Sequence, residues 1–235
     1  MNVDKKVALV TGANRGIGYA IAKGLMKKGV HLIATSRDHG KGEEAVASLS
    51  QYGDVSFCQL DVRDEKSIQN CFEYLLSTFG RLDALINNAG INYDTWQQVD
   101  NADLEEVRAT FETNPFAPWR LTQALLPLLL KSKEGANVVN VSSGAGAWSA
   151  QTGNTPGYSL SKLALNGLTV QLANQLRQEN IRINAVCPGW VRTDMGGSAA
   201  TKSPEEGADT IVWLSLFKKG DPSGKFFRNR KEIEF

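Results

Sequence analysis

The sequence predicts an α/β fold: a single doubly wound domain over residues 1–235, with a mostly or fully parallel seven-stranded sheet and helices on both faces. Three observations predict it. Short runs of Val, Ile and Leu alternate with helix-length amphipathic segments along the chain. The apolar runs show little polar alternation, as expected of strands covered on both faces. No Gly/Ser linker, low-complexity tract or internal repeat divides the chain. Right-handed crossovers in such a sheet place a ligand beyond the carboxyl ends of the strands.

The expected strands are Val7–Val10, His31–Thr35, Val55–Leu60, Ala84–Ile86, Asn137–Val141 and Ile181–Val186, with a seventh near Lys225–Arg228. The expected helices are Gly16–Lys28, Lys41–Ser50, Glu65–Phe79, Asp103–Leu130, Tyr158–Glu179 and Pro204–Phe217. Local signals support two of their ends. Asp64 stands before a helical pattern that closes at Gly80. Ser203, Pro204 and the acids Glu205 and Glu206 give a cap, a proline at the first position and negative charge in the first turn.

Composition narrows the function. A net charge of +1 supplies no bulk field toward nucleic acid or an anionic membrane. Cys58, Cys71 and Cys187 are odd in number and widely spaced, and His31 and His39 are not grouped with them. Neither a disulfide framework nor a metal site is expected, and buried thiols in a reduced compartment are. The short apolar run after Lys5 and Lys6 ends in glycine, unlike a secretory segment. The longest apolar stretch, Ala124 to Leu130, contains Pro127 and is too short to span a bilayer. A cytoplasmic protein is expected.

The first strand runs into Thr11-Gly12-Ala13-Asn14-Arg15-Gly16-Ile17-Gly18. Glycines at a strand-to-helix turn let backbone approach a pyrophosphate and aim helix N–H groups at it. The spacing is G-x-x-x-G-x-G, and an ordinary tight turn competes with the dinucleotide account until its position in the first α/β unit is considered. The second strand closes on Ser36 and Arg37. Arg37 with Arg15 suits a ribose 2′-phosphate, which predicts NADPH over NADH. Asp38, one step further, is the contrary sign, and solvated surface arginines are the competing account. Asp61 and Val62 end the third strand, where an adenine would lie, and Asn88, Ala89 and Gly90 end the fourth, where backbone could approach a ribose.

Tyr158 and Lys162 are four apart, so they share one helix face. A nearby ammonium and a positive nicotinamide ring would pull the phenol down from its reference value of about 10. A tuned tyrosine then serves as general acid in reduction and general base in oxidation. Such a pair is common by chance. Its weight comes from the hydroxyls Ser142 and Ser143 closing the fifth strand, and from Asn114 in front of the helix-disturbing Pro115.

TGANRGIG, NNAG, Asn114, VNVSS, YSLSK and CPGWVRTDM occur in the order and spacing of the short-chain dehydrogenase/reductase family over essentially the whole chain, and CPGWVRTDM, the following TKSPEEGA and the pair Arg15 and Arg37 resemble its NADPH-dependent carbonyl reductases in particular. The resemblance implies a Rossmann-type fold and NADPH/NADP+ as cofactor. It implies Tyr158 as proton donor and Lys162 on the nicotinamide ribose. Ser143 would polarise the carbonyl, with Ser142 as fallback, and Asn114 would hold a relay water. Pro188, Gly189, Val191 and Thr193 would border the nicotinamide, and Trp190 and Met195 the substrate. Tyr93, Trp96 and Trp148 either join that pocket or pack elsewhere. Gly144 and the short segment from Met195 to Ser203 suggest an open site for apolar aldehydes, ketones or quinones. Only 15 positions separate Ser143 from Tyr158, without the long insertion of the monomeric animal carbonyl reductases, so a homodimer or homotetramer is expected. The alternatives are a relative with a dedicated substrate, such as a 3-oxoacyl thioester or a specific alcohol, and a non-catalytic NADPH-binding regulator.

Overall fold

The computed structural model describes residues 5–91 and 93–235. Among the described residues eight strands form one sheet, in the order β3-β2-β1-β4-β5-β6-β7-β8. They are β1 (Val7–Val10), β2 (His31–Ser36), β3 (Val55–Gln59), β4 (Ala84–Asn87), β5 (Ala136–Val141), β6 (Ile181–Val186), β7 (Phe226–Arg228) and β8 (Lys231–Ile233). The first seven are mutually parallel, and β8 alone runs antiparallel, against β7.

That eighth strand departs from the expected seven. It is three residues long and largely polar, so it carries no apolar run. It joins β7 through Asn229 and Arg230, both in the left-handed region (φ 52° and 59°). Two such residues suit the tight loop of a hairpin, but Asn-Arg lacks the glycine that usually announces one.

Successive residues of β1 serve two cores. Ala8 and Val10 belong to one cluster with Ile21 and Leu25 of α1 (Gly16–Met26) and Ile211 of α7 (Pro204–Ser215). Val7 and Leu9 belong to the other, with Leu75 of α3 (Glu65–Thr78) and Leu121 and Leu125 of α5 (Ala117–Leu129). Burial on both faces is why the strands read as continuous apolar runs. The remaining helices are α2 (His39–Leu49), α4 (Leu104–Phe111) and α6 (Pro156–Gln175). Caps follow the sequence signals: the Asp64 carboxylate accepts from the Lys66 N–H at 3.0 Å. Ser203 and Glu206 form a reciprocal box, the Glu206 N–H on the serine oxygen and the Ser203 N–H on the glutamate.

The segment expected as one helix over Asp103–Leu130 is two helices joined by a π-helical turn, Glu112–Phe116, which contains Asn114 and Pro115. A proline lacks the N–H of the regular ladder, and the wider turn absorbs that loss. The strand order reverses between β1 and β4, so the crevice past their carboxyl ends is the place for a ligand in this topology.

Candidate active site

The amino end of the crevice is built by Thr11. Its N–H bonds the Ile86 carbonyl at 3.0 Å, and its hydroxyl accepts from the N–H groups of Asn88 and Ala89, each at 2.9 Å. The Asn88 side chain returns a bond to the Thr11 carbonyl at 2.9 Å. The glycine loop and the Asn88–Gly90 turn are thereby locked together. Gly12 and Gly16 lie in the left-handed region (φ 64° and 55°), and a Cβ on Gly18 would collide with the Gly12 carbonyl oxygen. Arg15, at the cap position of α1, sends no side-chain bond to the helix amides. The first turn therefore presents free N–H groups and a partial positive charge beside a close-packed glycine loop, which fits a pyrophosphate.

The two arginines differ. Arg15 forms an exposed ion pair with Asp194. Arg37 lines a cavity of about 500 Å³ at the end of β3 together with Gln59, Asp61 and Ser67. Asp38 caps α2, accepting from the Lys41 N–H at 3.0 Å, so the carboxylate counted against NADPH has a structural partner. Asp61 is engaged by Arg63 (3.0 and 3.2 Å), whose guanidinium holds its carboxyl below the usual range. Val62 is half-buried against the α3 side of the core. Asn14 and Ile17 are half-buried within the loop and the first turn.

At the carboxyl ends of β5 and β6 the candidate chemical groups converge. Tyr158 is 9% exposed and its phenol stands beside the Ser143 hydroxyl. Ser143 also accepts from the Ala145 N–H at 3.2 Å. Ser142 is buried and donates to the Lys162 carbonyl at 3.4 Å, which leaves Ser143 as the serine beside the phenol. Lys162 is buried, donates to the Val141 carbonyl at 2.8 Å and lies 5.5 Å from the Tyr158 ring centre. Asn114, held by the π-helical turn, donates to the Ser161 hydroxyl at 2.9 Å and the Ile91 carbonyl at 3.1 Å. A Cβ on Gly90 would stand 3.3 Å from the Asn114 oxygen and 3.5 Å from the Lys162 nitrogen, so Gly90 marks where these two side chains meet.

Burial governs both titrating groups. It pushes Tyr158 up to about 12, with the Ser143 hydroxyl opposing, and pulls Lys162 down to about 8. The depression expected for the phenol requires the positive nicotinamide ring beside it. The protein's own groups raise it, because desolvation of the phenolate outweighs the single hydroxyl contact.

The segment after β6 closes over the glycine loop. Gly189 is in the left-handed region (φ 87°), and Val191 is buried. The Thr193 methyl lies 3.2 Å from where a Cβ on Gly16 would be. Pro188 accepts from the Lys202 ammonium at 3.2 Å through its carbonyl. Trp190 and Met195 are exposed, and the Trp190 indole donates to the Gly196 carbonyl at 2.8 Å. Trp96 and Trp148 are among the most exposed aromatics, whereas Tyr93 packs edge-on against Tyr158 with centroids 5.2 Å apart.

Three participants have no local sequence signal. The Arg228 guanidinium, at the end of β7, lies against Gly144, where a Cβ would clash with it. The Cys187 sulfur accepts from the Gly144 N–H at 3.2 Å. Asp94 bonds the first turn of α6. Only the topology brings these together, although the β6–β7 register would have placed Arg228 beside Cys187 once known.

Fold and site together define a dinucleotide-binding α/β protein with a tyrosine–lysine pair at the strand ends. The chain belongs to the short-chain dehydrogenase family, whose model matches residues 6–204. It is similar to carbonyl reductase [NADPH] 1 of Rattus norvegicus, 34% identical over 279 residues that cover 98% of this chain and 99% of the relative. It is 33% identical to (+)-neomenthol dehydrogenase of Arabidopsis thaliana, with 98% of each chain covered. Among solved structures, the NADPH-bound carbonyl reductase from chicken fatty liver superposes with a TM-score of 0.88 at 31% identity, covering 98% of this chain and 99% of the other.

Proposed function

We propose that this chain, as one dinucleotide-binding and catalytic domain, reduces aldehyde and ketone carbonyls, quinones included, with NADPH, and that Tyr158 is the proton donor. The observation that carries the proposal is the convergence of Tyr158, Ser143, Lys162 and Asn114 at the end of the crevice that the glycine loop opens. NADPH, when bound, supplies the hydride. The loop Gly12–Gly18 and the turn Asn88–Gly90 would hold its pyrophosphate and ribose. Arg37, and Arg15 on release from Asp194, would receive the 2′-phosphate.

The protein's part is to orient and to hold charge. A phenol raised to about 12 keeps its proton at neutral pH, which is the form a donor needs. Ser143 steadies the developing alkoxide. Once the proton has left, the phenolate stands beside the Lys162 ammonium. Taken from the ring centre, 5.5 Å away, such a cation contributes on the order of 3 kcal/mol at an effective dielectric of about 20. Asn114 would hold a water that returns a proton through Lys162. Trp190 and Met195 would form one wall of the substrate pocket.

Relatives named for one compound, such as neomenthol dehydrogenase, favour a dedicated substrate as the second reading. We further infer a homodimer or homotetramer from the exposed Leu104, Trp119 and Leu160 on α4, α5 and α6. Cytoplasmic residence is supported by three buried free thiols. Among the described residues no helix is long and apolar enough to cross a membrane.

The test is NADPH consumption across activated ketones, quinones and 3-oxoacyl thioesters, with Tyr158→Phe as control. Loss of turnover of about a hundredfold or more in the Phe variant is expected. Full activity in that variant sinks the mechanism.

A further inference from the structure

The helix that carries Tyr158 and Lys162 has no cap of its own. At the cap position Thr155 adopts a left-handed conformation (φ 49°, ψ 50°) and sends no side-chain bond to the helix amides. Its hydroxyl is engaged with that of Ser159 at 2.8 Å. The first-turn amides are satisfied from far away in the chain. The Asp94 carboxylate accepts from the Gly157 N–H at 2.9 Å with one oxygen and from the Tyr158 N–H at 3.1 Å with the other.

Asp94 is 0% exposed, and among the described residues no lysine, arginine or histidine forms an ion pair with it. A carboxylate buried without a cation is unfavourable unless strong hydrogen bonds replace its water. Two charge-assisted amide bonds at the positive end of a helix do so. Gly157 leaves the space: a Cβ there would stand 3.1 Å from the Asp94 oxygen.

The segment leaving β4 that carries Asp94 touches the other site residues as well. Tyr93 packs edge-on against the Tyr158 ring. The Ile91 N–H donates to the Asn114 side chain at 3.0 Å, and the Ile91 carbonyl accepts from it at 3.1 Å. Gly90 abuts Asn114 and Lys162. The same segment begins in the turn that would cradle the cofactor ribose.

We propose that Asp94 is a positioning residue for Tyr158: it ties the backbone of the proton donor to the cofactor-side segment, so that phenol and nicotinamide site keep one fixed separation. The inference rests on the function proposed above. Misplacement of a reacting group by about 1 Å reduces rate by up to about a hundredfold.

Two variants test it. Asp94→Asn keeps one acceptor oxygen and turns an NH2 group toward an amide N–H. Gly157→Ala keeps the carboxylate but crowds it at 3.1 Å, so a purely structural role predicts a change confined to thermal stability, with turnover unchanged. The expected result is a fall in kcat of about tenfold or more for Asp94→Asn, and a smaller fall for Gly157→Ala. The Kd for NADPH, read by fluorescence, should stay within about twofold, and a primary isotope effect with deuterated NADPH should grow as the chemical step becomes limiting. Amide exchange at Tyr158 should speed up in Asp94→Asn without cofactor or substrate present.

Wild-type kcat in both variants, or losses confined to NADPH affinity or melting temperature, would overturn the proposal. If the wild-type protein fails to oxidise NADPH with every carbonyl compound tried, the proposed activity fails instead. The Tyr158 exchange rate then decides by itself whether Asp94 holds that residue.

Discussion

Replacing Lys162 by Met separates the two consequences of burying an ammonium beside Tyr158. Lys162 is pulled from 10.5 down to about 8 by desolvation. That drop corresponds to about 3 kcal/mol of disfavour for the charged form. The sign follows from proton binding. The unfolded chain holds this proton more tightly, so below pH of about 8 the folded state carries the whole disfavour, and wild-type stability rises as pH climbs from about 8 toward 10.5. Methionine keeps most of the apolar stem but leaves the Val141 carbonyl without its 2.8 Å donor, at about 1–3 kcal/mol. At about pH 7 the variant should therefore match the wild type or exceed it by up to about 2 kcal/mol. By about pH 9.5 the wild type regains about 2 kcal/mol relative to the variant. Activity moves the other way: without the cation the phenolate loses on the order of 3 kcal/mol, and kcat falls by about a hundredfold. Urea unfolding at the two pH values and the loss of NADPH absorbance under saturating substrate measure both effects. A variant clearly less stable at neutral pH, with no pH dependence in the difference, refutes the burial argument. Wild-type kcat refutes the role of the ammonium.

Gly18→Ala should abolish measurable NADPH binding, because its Cβ meets the Gly12 carbonyl oxygen; a Kd within tenfold of the wild type, by fluorescence titration, would contradict the cradle. Asp194→Asn breaks an ion pair whose two side chains are both exposed, so stability should change by less than about 1 kcal/mol in thermal melts. The same variant frees Arg15, and the ratio of kcat/KM with NADPH to that with NADH should rise; an unchanged ratio leaves Arg37 as the residue that reads the phosphate.

The β-α rhythm was legible because strands buried on both faces carry no polar positions, and six strands lie within a residue or so of their expected limits. Residues 103–130 were half legible: Pro115 announced a disturbance, but not that a π-helical turn would absorb it and bring Asn114 to Ser161. The pair Tyr158 and Lys162 was legible as a helix-face spacing, and its partner serine as a strand end. Asp94 was not, because its bonds run 63 and 64 positions along the chain. Arg15 looked free for a phosphate because Asp194 stands 179 positions away. Local sequence encodes which face a residue occupies; a partner that arrives through the sheet leaves no mark beside it.

The opposed shifts of Tyr158 and Lys162 have one cause, and that cause explains why the two belong together. Burial disfavours any charge, so it raises the phenol to about 12 and lowers the ammonium to about 8. Each alone would be a group made harder to ionise. Side by side, the charges that the pocket disfavours singly offset one another when phenolate and ammonium coexist, and that state arises only after the proton has moved to substrate. The stabilisation is thus concentrated on the species formed during reaction, and little of it is present before. Water admitted to the pocket would erase the difference, so the packing of Tyr93 on the phenol, and the segment that Asp94 anchors, bear on the chemistry as directly as the lysine does.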